Sequence, residues 1–88
     1  MRRYGKKDDC QKQIVKVLQQ LGFGVIDLSS LGNNIPDLLI AKSDRTALVE
    51  LKSENGKLSK GQEFFKLTWP GKCFMAKSAE EIYEKWKA

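Results

Sequence analysis

The chain has 88 residues, 41% of them hydrophobic, with 16 Lys and Arg against 11 Asp and Glu, two cysteines and no histidine. That length supports one domain with a modest core; no apolar run suits a membrane span or a signal peptide, and histidine-based zinc sites, Ser-His-Asp triads and Cys-His pairs are excluded. The net charge of +5 suits a polyanionic partner, nucleic acid being the commonest inside cells, although a plain solvated basic surface carries the same charge.

Nothing in the composition marks a linker or a repeat, so residues 1–88 are expected to form a single soluble, intracellular domain without membrane contact. Residues 1–7, MRRYGKK, hold four basic side chains and no periodicity. They read as a flexible tail in which Arg2 and Arg3 are candidate phosphate contacts. From Asp8 the pattern becomes helical: Cys10, Ile14, Val17, Leu18 and Leu21 form an apolar stripe, and Gly22 ends the helix. FGVIDLS then alternates as a first strand. The turn-rich LGNNIP leads to PDLLIAK as a second, SDRT makes a turn, and ALVELK is a third, so the middle of the chain reads as an antiparallel meander.

SENGK forms a loop, and Ser59 with Gln62 makes a capping box opening a helix that Pro70-Gly71 stops after about Trp69. KCFMAK is a fourth strand. Ser78 and Glu81 form a second capping box ahead of a helix with Ala79, Ile82, Tyr83 and Trp86 on its apolar face. The order αβββαβα makes the third and fourth strands parallel, joined by a right-handed crossover. Cys10 and Cys73 fall on apolar patterns and read as small core residues without a disulfide.

The chemistry gathers on the second and third strands. Side chains two apart on a strand share a face, so Glu50 and Lys52 point one way, Val49 and Leu51 the other. If the neighbouring strand pairs through SDRT, Lys42 opposes roughly Ala47, and Asp37 comes opposite about Lys52. Two carboxylates brought together repel unless a cation neutralises them. Oxygen donors of this kind, with the Leu51 backbone carbonyl as a further ligand, suit Mg²⁺ or Mn²⁺. Such an ion activates water and offsets charge on a phosphate, with Lys52 as a fixed cation beside it.

Pro36-Asp37 followed by Glu50-Leu51-Lys52 on consecutive strands of this element order resembles the PD-(D/E)xK nuclease superfamily. With Gly32 before Pro-Asp and KLSKGQ after the lysine, the chain is most similar to the VRR-NUC (virus-type replication-repair nuclease) domains, from about Asp8 to Trp86. The resemblance implies a restriction-endonuclease-like α/β core with a mixed central sheet flanked by helices. It implies metal-dependent DNA cleavage by Asp37, Glu50 and Lys52, with Gln62 near the active site. Free-standing members of this size are similar to Holliday junction resolvases, so branched or flapped DNA is the expected substrate and a homodimer the expected assembly. A cytoplasmic or nucleoid-associated protein fits this reading, a phage-encoded one in a bacterial host included. Where the family often has a glutamate in the first helix, this chain has Asp8 and Asp9, then Gln11 and Gln13; Asp9 is the candidate substitute at the metal.

Each residue has a plainer alternative. An ExK triplet is common on exposed strand faces, Ser-x-x-Gln caps a helix by itself, and Asp8 and Asp9 suit a helix start. Lys57, Lys60 and Lys66 are candidate phosphate contacts on positions where solvent-facing lysines are the rule. Phe64, Phe65 and Trp69 fit a core or interface better than base stacking. A non-catalytic DNA-binding module on the same fold is the alternative function.

Overall fold

A four-stranded sheet organises the chain: β1 (Gly24–Asp27), β2 (Leu38–Lys42), β3 (Arg45–Leu51) and β4 (Cys73–Ala76), side by side in that order. The computed structural model describes the backbone of residues 2–53 and 55–88 and the side chains of 10–53 and 55–88. The first three strands run antiparallel and β3 pairs with β4 in parallel, as the element order predicts.

The hairpin between β2 and β3 is tighter than expected. Only Ser43 and Asp44 form the turn, both with positive φ (55° and 65°), the conformation of a two-residue hairpin whose twist matches its strands. Arg45 and Thr46, expected in the turn, belong to β3, and Lys42 pairs with Arg45 rather than with Ala47. The register therefore shifts by two: Leu38 pairs with Val49, and the next step outward sets Asp37 against Glu50, not Lys52. A shift of two keeps every side chain on its expected face.

Helix α1 (Arg2–Gln20) starts six residues ahead of the expected Asp8. Residues 2–7 continue it instead of forming a tail, since Arg and Lys are good helix formers and extending a helix costs less than nucleating one. The side chains of Arg2, Arg3 and Asp9 lie outside the described residues. The buried side of α1 is also turned from the expected stripe. Gln11 is buried and Leu18 fully so, with Ile14, Val15 and Val17 packed on the core, whereas Cys10 is exposed. Gln11 tolerates burial because its Nε2 donates to Asp27 Oδ2 at 3.0 Å. The helix ends in a Schellman pair: Phe23 N–H donates to Leu18 O and Gly22 N–H to Gln19 O, with Gly22 at φ 97°.

Helices α2 (Lys60–Thr68) and α3 (Ala79–Lys87) take opposite sides of the sheet. The core face carries Leu38, Ile40, Ala47, Val49, Leu51, Phe74 and Ala76, which pack with Leu18, Phe23, Ile82 and Trp86 from α1, its exit and α3. Phe23 meets Trp86 edge-on at 5.1 Å and Tyr83 at 6.2 Å, joining the two helices. Lys42 seals this end: its Nζ donates to Leu21 O at 2.6 Å and lies over the Phe23 and Tyr83 rings. Ser78 caps α3 through the Glu81 N–H, but the Glu81 carboxylate returns to the Lys77 N–H instead of closing the expected box. The other face carries Glu50, Cys73 and Met75, and α2 crosses it on the way from β3 to β4. The result is the mixed sheet flanked by helices of a restriction-endonuclease-like core. Among the described residues no helix is long and apolar enough to cross a membrane.

Candidate active site

β3 runs two residues beyond the start of β2, and the site is built on that overhang. Asp37, one residue before β2, lends its carboxylate to the exposed ladder: Oδ2 accepts the Leu51 N–H at 2.9 Å. A residue's N–H and C=O leave an extended strand on the same edge, so the Leu51 carbonyl also faces the Asp37 side. Glu50, only 9% exposed, projects from the face crossed by α2, and Lys52 emerges two residues on with its Nζ 3.6 Å from Glu50 Oε2. Gly56 keeps the following loop close, since a Cβ there would come within 3.1 Å of Lys52 Cβ.

Gln62 reaches the same carboxylate, and its helix cap aims it. Ser59 Oγ accepts the Gln62 N–H and the Gln62 Oε1 accepts the Ser59 N–H at 2.9 Å, completing the capping box. With the oxygen fixed there, the amide presents its Nε2 to Glu50 Oε2 at 3.1 Å. The capping and site roles are thus one arrangement. Asn34, Pro36, Phe65 and Cys73 line the narrow cleft around Glu50 and Gln62, and burial pushes the Cys73 thiol up.

Burial raises the Glu50 carboxyl to about 7, with the Asp37 charge adding to the rise and Lys52 opposing it. This has a measurable consequence without divalent ions. Above about pH 4.5 an unfolded chain has released the proton that folded Glu50 holds until about 7, so stability falls as pH rises through that window. The expected loss is on the order of 2 kcal/mol, read from urea unfolding at about pH 5 and about pH 8. A flat or rising trend would contradict the burial of this carboxylate beside Asp37. Asp27, lowered by its Ser29 hydrogen bonds, and Glu81, lowered by the Lys77 N–H, act in the opposite sense at more acid pH.

The sequence from residue 5 to residue 67 matches the model of the VRR-NUC domain. The chain belongs to the VRR-NUC family. It is accordingly a nuclease-type, DNA-processing domain. No curated protein matches the sequence. The matched segment of this VRR-NUC chain holds Asp37, Glu50, Lys52 and Gln62 and stops before β4 and α3.

Lys57, in the loop ahead of α2, and Lys60, its first residue, are exposed on the approach to Gln62. Gln11, in the stretch where the family often has a glutamate, is tied to Asp27 and not to Glu50. Register puts Asp27 on the face of Leu38 and Val49, opposite to Glu50. The Gln11–Asp27–Ser29 cluster was not anticipated as a unit, although Asp27-Leu28-Ser29 carries the local signal of an aspartate bonding the backbone two residues on. It borders a cavity of about 420 Å³ between α1 and β1. Among the described residues no third acidic or cysteine side chain joins Asp37 and Glu50.

Proposed function

We propose that this VRR-NUC domain is a metal-dependent DNA endonuclease acting on branched or flapped DNA such as four-way junctions. The observation that carries the reading is the Asp37–Glu50 pair. Two carboxylates sit together at the end of the sheet, one of them buried, with a lysine and an amide converging on it. A fold gains nothing in stability from burying a carboxylate beside another, which makes functional need the better reason for it.

Mg²⁺ or Mn²⁺ fits the donor set: two carboxylates that repel and a free-edged Leu51 carbonyl, all hard oxygens. Asp37, Glu50 and Leu51 O would hold the ion, with Asp9 the candidate fourth donor. Bound there, it supplies Lewis acidity and charge compensation at the scissile phosphate. The protein's own groups do the rest. Gln62 fixes one Glu50 oxygen, and Asp37 is held by the Leu51 N–H, so the carboxylates are set before substrate arrives. Lys52 places a positive charge where an attacking water and the developing phosphorane charge need one. Arg2, Arg3, Lys57 and Lys60 would contact the DNA backbone, giving binding that weakens with salt. Symmetric cutting of a four-way junction needs two sites, so a homodimer is part of the proposal.

The test is cleavage of labelled four-way junction, flap and linear duplex with and without Mg²⁺ or Mn²⁺, for the native chain and Lys52→Ala. Metal-dependent cutting that prefers branched DNA and falls at least about a hundredfold in Lys52→Ala is expected. Salt-sensitive binding with no cutting of any substrate would leave a DNA-binding module in its place.

A further inference from the structure

Phe65 and Trp69, one turn apart at the end of α2, stack nearly parallel, with ring centres 5.4 Å apart and planes 14° off. The indole is fixed from a second side. Its Nε1 edge lies so close to Gly71 that a Cβ there would come within 2.9 Å of it. Although held in place, Trp69 is not covered, and 43% of it stays exposed. The sequence groups Trp69 with core or interface residues; its exposure beside the cleft separates it from them.

Residues 62, 65, 66 and 69 recur at the spacing that puts side chains on one face of a helix. Gln62, Phe65 and Lys66 line the cleft at Glu50, and the Gln62 amide donates to the Glu50 carboxylate. A stripe of amide, aromatic ring, cation and aromatic ring therefore leads out of the site and ends at Trp69, about 10 Å along the helix axis from Gln62.

We infer that Trp69, backed by Phe65, is a stacking site for an unpaired base of DNA, with Lys66 on the phosphate between that base and the scissile bond. This rests on the nuclease reading above and names the part of a branched substrate that the chain grips. Every base has a face that an aromatic ring can take without reading sequence, and single-strand binding combines such rings with cations along the backbone. A base inside a duplex already has neighbours on both faces, so an exposed ring selects nucleotides that are unpaired, as in a flap. The reach also suits DNA. About 10 Å is about three base steps of a stacked strand, so a strand with its phosphate at Glu50 arrives at the ring without being stretched.

The experiment titrates the full chain, without divalent ions to prevent cutting, with an oligothymidylate of about ten nucleotides and with relaxed circular duplex. The chain has two tryptophans, and Trp86, 3% exposed in the core, cannot meet a base. The oligonucleotide is expected to quench part of the emission and leave the Trp86 remainder, while the circle, which has no unpaired base, quenches nothing. Trp69→Leu keeps apolar bulk beside Phe65 and offers no ring. Anisotropy of the labelled oligonucleotide is expected to show it binding at least about tenfold more weakly, with an unchanged circular dichroism spectrum and unmoved Trp86 emission. Trp69→Phe is expected to restore binding to within about threefold of the native chain. An oligonucleotide that fails to bind, or binds without quenching the native chain, overturns the inference. A Trp69→Leu chain that binds as tightly as the native one does so too, and assigns the stripe to packing alone. Equal quenching by the circle would remove the preference for unpaired bases and with it the proposal. Quenching and its loss as expected, with no cutting of any substrate in Mg²⁺ or Mn²⁺, would remove the nuclease reading and leave the base site standing.

Discussion

Glu50→Gln is expected to lose at least about a hundredfold in metal-dependent cleavage while making the metal-free protein more stable above neutral pH. The two effects have one origin. Glu50 is 9% exposed and faces Asp37, so ionising it means charging a desolvated group beside a like charge, and its carboxyl is raised to about 7. An amide of the same shape removes that cost, which at pH 8 is on the order of 1–2 kcal/mol. The decline of stability between about pH 4.5 and about 7 should flatten in the same variant. Losing an anionic donor should also remove the stabilisation by Mn²⁺ that mass action is expected to give the native chain. Urea unfolding with and without Mn²⁺, run beside the cleavage assay, separates this outcome from simple damage. A variant that loses stability along with activity would show Glu50 to be a structural residue, and the site would need another centre.

Trp86→Ala is expected to unfold most of the population or bring it close to unfolding. Trp86 is 3% exposed, meets Phe23 edge-on at 5.1 Å and has the Arg45 guanidinium over its ring at 4.8 Å. Removing a buried tryptophan costs about 3–5 kcal/mol. A domain of this size has a total stability of roughly 4–13 kcal/mol, so the loss is a large part of the whole. Trp86 lies beyond residue 67, where the family match ends. A collapse of the urea midpoint would therefore show that β4 and α3 are as much a part of the folding unit as the matched segment. Trp86→Phe, which keeps an edge-on ring for Phe23, should retain most of the midpoint. An unchanged midpoint in Trp86→Ala would contradict the core described here.

Legibility in the sequence followed the range of the interactions involved. Glu50 and Lys52 were assigned to one face by the period of a strand alone, and the shared side with Asp37 survived a register error because that error was an even number. The error arose at SDRT, where Ser43 and Asp44 adopt left-handed conformations that glycine or asparagine would have announced and serine does not. Gln62 was readable as a cap because Ser59 is three residues away; its second bond, to Glu50, spans a loop and could be expected only through the family resemblance. Gln11 displaced Cys10 from the buried side of α1 because of a partner sixteen residues on, and no local pattern encodes that. Asp37 was found as a candidate ligand, but its acceptance of the Leu51 N–H was not, since it depends on β3 outrunning β2.

The two-residue turn at Ser43-Asp44 has a bearing on how this protein can change over generations. One inserted residue there, if the strands took it up instead of a longer loop, would slide β3 by one position against β2 and turn Glu50 and Lys52 into the apolar interior while Val49 and Leu51 came out. The same accident ruins the interior and the chemistry together, so no intermediate keeps one while exploring the other. Length at this turn is therefore tied to the site, and changes of length meet less constraint where the register is not at stake, such as the turn-rich stretch ahead of Asp37.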